Sequence, residues 1–306
     1  MAPKPTPLSP LPPGTTPITR KDVIYHLPTT PSHTTPLKST ILLPRNSAWQ
    51  SGLHFHAQHT EYLRLARGCI FVHHGTRTVL LSAAAGGVWA QNRGTGDDLE
   101  GEQGRGREQS DGSTAGNAFV VRIPPYTRHN WGRAEAWMDK LQPGGDWRER
   151  ERARHLPEDI FDDVVVEEWV GTLGESGTPS IDKALFFWNL NGILVPPERP
   201  SAAPKLGVLQ RVAKSALGDG GYVELQLFVV FHALDNWPVL IPMEGCSNPI
   251  LGVIPMDGFE RGFEWVVTFV VLSFAGLIGW LIGLHAVAED RTPEELWTVR
   301  QGKRKD

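Results

Sequence analysis

Cysteine is nearly absent from this 306-residue chain: only Cys69 and Cys246 occur, which excludes a disulfide framework and a thiolate-rich metal module. A basic excess is also missing. Lys and Arg number 30 against 34 Asp and Glu, for a formal charge of −4, which argues against a nucleic-acid partner because no broad cationic surface exists to neutralise phosphates. Residues 1–19 carry seven prolines and almost no apolar side chain, so they are expected to form a disordered Pro-rich arm. They also lack the apolar stretch of a secretory signal.

What is present falls into two compositions. Residues 20–200 read as a β domain, with short β-type runs at 23–25, 39–43, 52–56, 61–66, 69–73, 77–81, 119–122, 164–169 and 184–187 broken by Pro and Gly. Runs of this length and spacing suggest a sandwich or barrel. Residues 86–117 are polar and Gly-rich, and read as a disordered, solvated insertion; residues 144–154, dominated by Arg and Glu, read as an exposed loop or helical edge.

Residues 201–261 form a linker with an apolar helix expected over 222–240. A membrane helix is expected over 262–288: residues 265–288, bounded by Trp265 and Ala288, run 24 positions without Asp, Glu, Lys or Arg. That is about 36 Å of helix against a hydrocarbon core of roughly 30 Å. A charged tail, 289–306, follows. The lopsided Lys and Arg would place it in the cytosol, whereas a span so near the C-terminus reads as a tail anchor with the β domain facing the cytosol; the second reading is preferred.

The chemistry concentrates in GLHFHAQHTEYLRLARG, residues 52–68. In an extended strand side chains alternate, so His54 and His56 share a face, with imidazoles about 7 Å apart that can converge on one ion, while Phe55 faces away. A bend over residues 57–60 can bring Glu61 in as an oxygen ligand. A fourth ligand must come from a distant strand, and His129 in IPPYTRHNW is the candidate. His59, in the bend, reads as a surface residue or one that orients a ligand. His73-His74 reads as a hairpin turn, and His232 and His285 as structural. Glu167 and Glu168 suit pairing with Arg as well as they suit catalysis.

The pattern HxHxxxxE followed by six residues and Gly68 resembles the first motif of the cupins, and residues 124–129, a Pro followed five positions later by His, resemble the second. Two positions depart from the pattern: Tyr126 stands where Gly is usual, and Arg133 where Asn is frequent. HTEYL at 59–63, VEEW at 166–169 and LFFWNLNGIL at 185–194 are similar to small fungal cupin-domain proteins, some from polyketide biosynthetic clusters and described as oxidoreductases. The resemblance implies an all-β, double-stranded β-helix (cupin jelly roll), followed here by an α-helical C-terminal segment with the membrane helix. It implies that His54, His56, Glu61 and His129 ligate a divalent transition metal, Fe(II) favoured over Mn(II), Ni(II) or Zn(II), and that the chain forms a homodimer. The implied activity is oxidation of a small organic, polyketide-type substrate, with Tyr126 and His59 the nearby groups for proton transfer. A membrane-tethered binding or scaffold protein, and an isomerase or cyclase with a redox-silent metal, are the rival readings.

Overall fold

Short runs rich in Val, Ile, Leu and aromatic residues, each ended by Gly, Pro or a polar turn, form the strands β1 (Thr15–Arg20), β2 (Val23–Pro28), β3 (Ser39–Leu43), β4 (His54–Phe55), β5 (Glu61–Arg67), β6 (Cys69–His74), β7 (Arg77–Ser82), β8 (Gly87–Asn92), β9 (Val120–Ile123), β10 (His129–Arg133), β11 (Val164–Val170) and β12 (Trp237–Pro238). The helices are α1 (Ala134–Leu141), α2 (Asp182–Leu194), α3 (Val208–Ala233), α4 (Asp257–Ile282) and α5 (Glu294–Gly302). This computed structural model describes residues 5–32, 34–75, 77–92, 119–141, 156–171, 179–195, 206–242 and 257–302.

The strands make two six-stranded antiparallel sheets, β1-β2-β3-β11-β5-β9 and β12-β4-β10-β6-β7-β8, a two-sheet architecture consistent with a jelly roll. The chain divides into two units, residues 1–52 with 60–180 and residues 53–59 with 181–306. In the first unit Val166 of β11 lies opposite Ile41 of β3 and Leu65 of β5, all buried, so the centre of the first sheet is apolar. Cys69, Phe71, Leu80, Ala134, Met138 and Ile160 form a further cluster that fastens α1.

Gly68, which closes the motif begun at His54, sits at φ +79°, and a Cβ there would fall 2.9 Å from the Asp163 carbonyl oxygen. A left-handed turn pressed against backbone admits only glycine at low cost. Arg133, buried and at the position where Asn was expected, pairs with Glu135 at 2.8 Å and donates to the carbonyls of Leu43, Pro44, Ile160 and Asp162. It is a structural clip in this chain.

Four expectations change. The arm and the insertion each contain a strand: β1 begins at Thr15 and pairs with β2 as an edge, where Pro17 is tolerated because its missing N–H faces no ladder partner, and β8 occupies 87–92 beside β7. Residues 184–187 lie in α2 and not in a strand; Lys183, Ala184, Leu185, Phe186, Phe187, Asn189, Leu190 and Asn191 are all buried, and burial on nearly every side erases the 3.6-residue signature. The helix expected over 222–240 belongs to α3, a helical segment from Val208 that is broken at Gly218 (φ +71°), and it stops at Ala233, because Asp235 takes a left-handed φ of +50° and Pro238 enters β12. The helix expected to run to Ala288 ends at Ile282. Gly283 at φ +74°, with bonds from Leu284 N to Gly279 O (2.7 Å) and Gly283 N to Trp280 O (3.2 Å), makes a Schellman stop. Residues 93–118 of the insertion, the polar block 144–154 and Cys246 lie outside the described residues.

In the second unit α3 and α4 approach closely through glycine: a Cβ at Gly279 would lie 2.5 Å from Val229 Cγ2, and one at Gly276 3.2 Å from His232 Nδ1. Glu264, Thr268, Leu272 and Ala275 give α4 a buried face, while Val266, Val270, Phe274, Leu277 and Leu281 are exposed. Among the described residues α4 is the one helix long and apolar enough, over Gly262–Ile282, to cross a membrane.

Candidate metal centre

β5 starts at Glu61 and β10 at His129, and both side chains are buried, at 1% and 0% exposure. His129 Nδ1 lies 2.8 Å from the Thr127 carbonyl oxygen. A carbonyl only accepts, so Nδ1 carries the proton and Nε2 is left to face Glu61 Oε2 at 2.7 Å. Two ligand-type atoms held that close need a shared proton or a cation.

β4 pairs with β12, setting Pro238 opposite His54 and Trp237 opposite Phe55. Phe55 stacks on Trp237, with ring centroids 6.3 Å apart and planes 11° from parallel, and joins Leu272 in an apolar cluster. His54 and His56 are both buried, with ring centroids 5.1 Å apart. The two imidazoles lie together, with His56 one residue beyond the end of β4. His56 Nδ1 lies 2.5 Å from the Asp235 carbonyl oxygen, which by the same argument protonates Nδ1 and leaves Nε2 as the lone-pair nitrogen.

The chain passes from His54 to Glu61 within one bend, and the ligand atoms of His54, His56, Glu61 and His129 lie within 4.8 Å of one another. Three neutral imidazoles and one carboxylate, buried together with two tautomers fixed by carbonyls, fit a divalent transition ion; the donor set does not choose among Fe(II), Mn(II), Ni(II) and Zn(II).

None of the remaining nominees belongs to that group of four. Tyr126 occupies the turn before β10 at φ +60° with 64% of its surface exposed, so a tyrosine here adopts the backbone conformation that glycine would adopt most cheaply. His59 binds Asp235 Oδ2 through Nδ1 at 2.8 Å, and its Nε2 is buried without a hydrogen-bond partner among the described residues. Glu167 takes Lys38 at 3.1 Å and Arg64, and Glu168 accepts from Trp131 Nε1 at 2.6 Å. His73 and His74 end β6 ahead of the Gly75 turn, in register with Thr78 and Arg77.

Asp235 is the residue that sequence reading missed. It stands in LDNWP, whose only signal is a turn. Burial pushes its carboxyl up, but hydrogen bonds from His59, Ala57, Gln58 and Trp237 outweigh burial and hold it below the ordinary carboxylate range.

No family model matches the chain, and no curated protein matches it. Among solved structures it is similar to KdgF from Halomonas sp., at 11% identity over 50% of this chain and 83% of that one, with a TM-score of 0.25. It is similar to the capsular polysaccharide assembling protein CapF from Staphylococcus aureus, at 12% identity over 54% of this chain and 31% of that one, with a TM-score of 0.27. A third likeness is to Phpd with cadmium complexed with hydroethylphosphonate, at 13% identity over 92% of this chain and 54% of that one, with a TM-score of 0.25. The chain thus spans about a third of CapF and about half of Phpd. At TM-scores this low the likenesses decide nothing about activity, and the reading that follows rests on the chain's own residues.

Proposed function

We propose that the chain is a metal-dependent oxidoreductase of the cupin type, acting on a small organic molecule of polyketide character. The observation that carries this reading is the buried cluster of His54, His56, Glu61 and His129. Fe(II), held by these four side chains, would supply the redox chemistry for oxidising an organic substrate with dioxygen. The chain's own residues supply the rest. The Thr127 and Asp235 carbonyls fix which nitrogen His129 and His56 present, and burial keeps water from the donor atoms. His59 and the exposed phenol of Tyr126 are the groups we assign to proton movement.

The test uses nitric oxide, which occupies dioxygen's position on ferrous iron and gives a diagnostic paramagnetic signal. Anaerobically purified full-length chain, reconstituted with Fe(II), is expected to show that signal, and His54→Ala to lose it. Tight binding of Zn(II) or Mn(II) with no retention of Fe(II) would favour the isomerase or cyclase reading. Absence of any stoichiometric metal would leave a non-enzymatic binding protein.

The exposed side of α4 supports a membrane location: Val266, Val270, Phe274, Leu277 and Leu281 make an apolar stripe, and Trp265 and Trp280 stand near its two ends. Full-length protein is then expected to resist alkaline carbonate extraction, and Val270→Lys with Phe274→Lys, both at exposed positions, to release it. An extractable wild type contradicts this placement.

A further inference from the structure

Between β4 and β5 the backbone of residues 57–60 belongs to no sheet, so its N–H groups need partners from elsewhere. One residue provides two of them, for Ala57 and Gln58. Asp235 follows α3 in a left-handed turn, φ +50°, a conformation that Asp tolerates better than most residues. Its Oδ1 accepts from Ala57 N at 2.9 Å and Trp237 Nε1 at 2.7 Å, and its Oδ2 accepts from Gln58 N at 2.7 Å and His59 Nδ1 at 2.8 Å. Its main-chain carbonyl accepts from His56 Nδ1 at 2.5 Å. The turn geometry is what lets carboxylate and carbonyl of a single residue reach the same bend.

His56, His59 and Asp235 together also have the composition of a second metal site, with ligand atoms mutually within 4.8 Å. The hydrogen bonding argues otherwise. A carboxylate has about four lone-pair positions, and Ala57, Gln58, His59 and Trp237 use them all; His56 Nδ1 is spent on the carbonyl.

We propose that Asp235 is the positioning residue of the metal centre. It fixes the His56 tautomer and sets the path of the bend that follows His56. His59, with its ring centroid 4.2 Å from that of His56, is pinned by the same carboxylate and buttresses the imidazole. The inference rests on the assignment of His54, His56, Glu61 and His129 as metal ligands.

The experiment titrates Co(II), whose visible spectrum reports its ligand geometry, into chelator-treated full-length wild type, Asp235→Ala, Asp235→Asn and His129→Ala. Long-range proton–nitrogen NMR reads the His56 tautomer in each apo protein. Wild type is expected to bind about one Co(II) through three imidazoles and a carboxylate. Asp235→Ala should bind about 10- to 100-fold more weakly, the usual cost of losing a group that orients a ligand, with an altered spectrum and a His56 ring no longer confined to Nδ1–H. Asp235→Asn keeps the left-handed turn and one acceptor, so it should fall between the two, and it decides the question if Asp235→Ala does not fold. Folded variants with wild-type affinity, spectrum and tautomer would overturn the positioning role while leaving the metal centre intact, provided His129→Ala abolishes binding. A wild type that binds no Co(II) would overturn both.

Discussion

Removing the imidazole of His129 tests the buried heart of the site. In the metal-free protein His129 Nε2 and Glu61 Oε2 are 2.7 Å apart with both side chains all but inaccessible to water. His129→Ala takes away the hydrogen-bond partner that Glu61 Oε2 holds at 2.7 Å in a place water cannot reach, and breaking one side of such a buried pair costs about 3–5 kcal/mol. For a unit of this size each kcal/mol moves the melting temperature by roughly 2–4 °C, so the apo variant should melt roughly 6–20 °C below wild type. The Glu61→Gln/His129→Ala double variant separates the cost of the buried carboxylate from lost packing. It should be more stable than His129→Ala alone by about 1–3 kcal/mol, because a neutral amide is cheaper to keep buried than a carboxylate that has lost its bond to His129. Adding metal should raise the wild-type melting temperature, by about 2.7 kcal/mol of stability at one hundred times the dissociation constant, and should do nothing for either variant. Calorimetry on chelator-treated and metal-loaded protein measures all of this. A His129→Ala loss under about 1 kcal/mol, with additive effects in the double variant, would refute the reasoning, since exposed pairs are worth that little.

Three other perturbations follow from the same structure. Gly68→Ala forces a Cβ into a left-handed turn 2.9 Å from the Asp163 carbonyl oxygen and should cost about 1–3 kcal/mol in chemical denaturation; an unchanged midpoint would contradict the packing described. Burial lowers the pKa of His26, against a backbone hydrogen bond at Thr40 that raises it, so the unfolded chain takes up a proton below about pH 6.5 while the folded chain does not. Stability should therefore fall as the pH drops from about 6.5 through the folded pKa, and His26→Gln should flatten that slope in denaturation curves at neutral and mildly acidic pH. Burial, and then the hydrogen bond to Asp159, push the Cys69 thiol far up, so iodoacetamide should leave it unmodified in native protein at pH 8 and label it after unfolding, as read by peptide mass spectrometry.

The candidate ligands were legible because their logic is local. Alternation along a strand fixed His54 and His56 on one side and Phe55 on the other, and one bend sufficed to reach Glu61; only His129 required a partner strand, flagged by its Pro124-Pro125 entry. What escaped depends on contacts distant in sequence. Asp235 meets Ala57 across 178 positions, and nothing in LDNWP announces a carboxylate that takes three of its four hydrogen bonds from residues 57–59. Arg133 stands where Asn is frequent in the motif, and its value lies in backbone carbonyls up to 90 residues away. Helix α2 was misread because an element buried on nearly all sides shows no period. The end of α4 was hidden for a different reason: Gly283 lies inside an uninterrupted apolar run, and only its backbone conformation marks the stop.

The central claim is that His54, His56, Glu61 and His129 bind one divalent transition metal. Elemental analysis of anaerobically purified full-length protein, beside the His54→Ala/His129→Ala variant handled identically, addresses it most directly. The account predicts about one equivalent of metal in wild type, as a single four-ligand site requires, and a near-complete loss in the variant. Wild-type protein without stoichiometric metal, or a variant that retains it in full, would contradict the account.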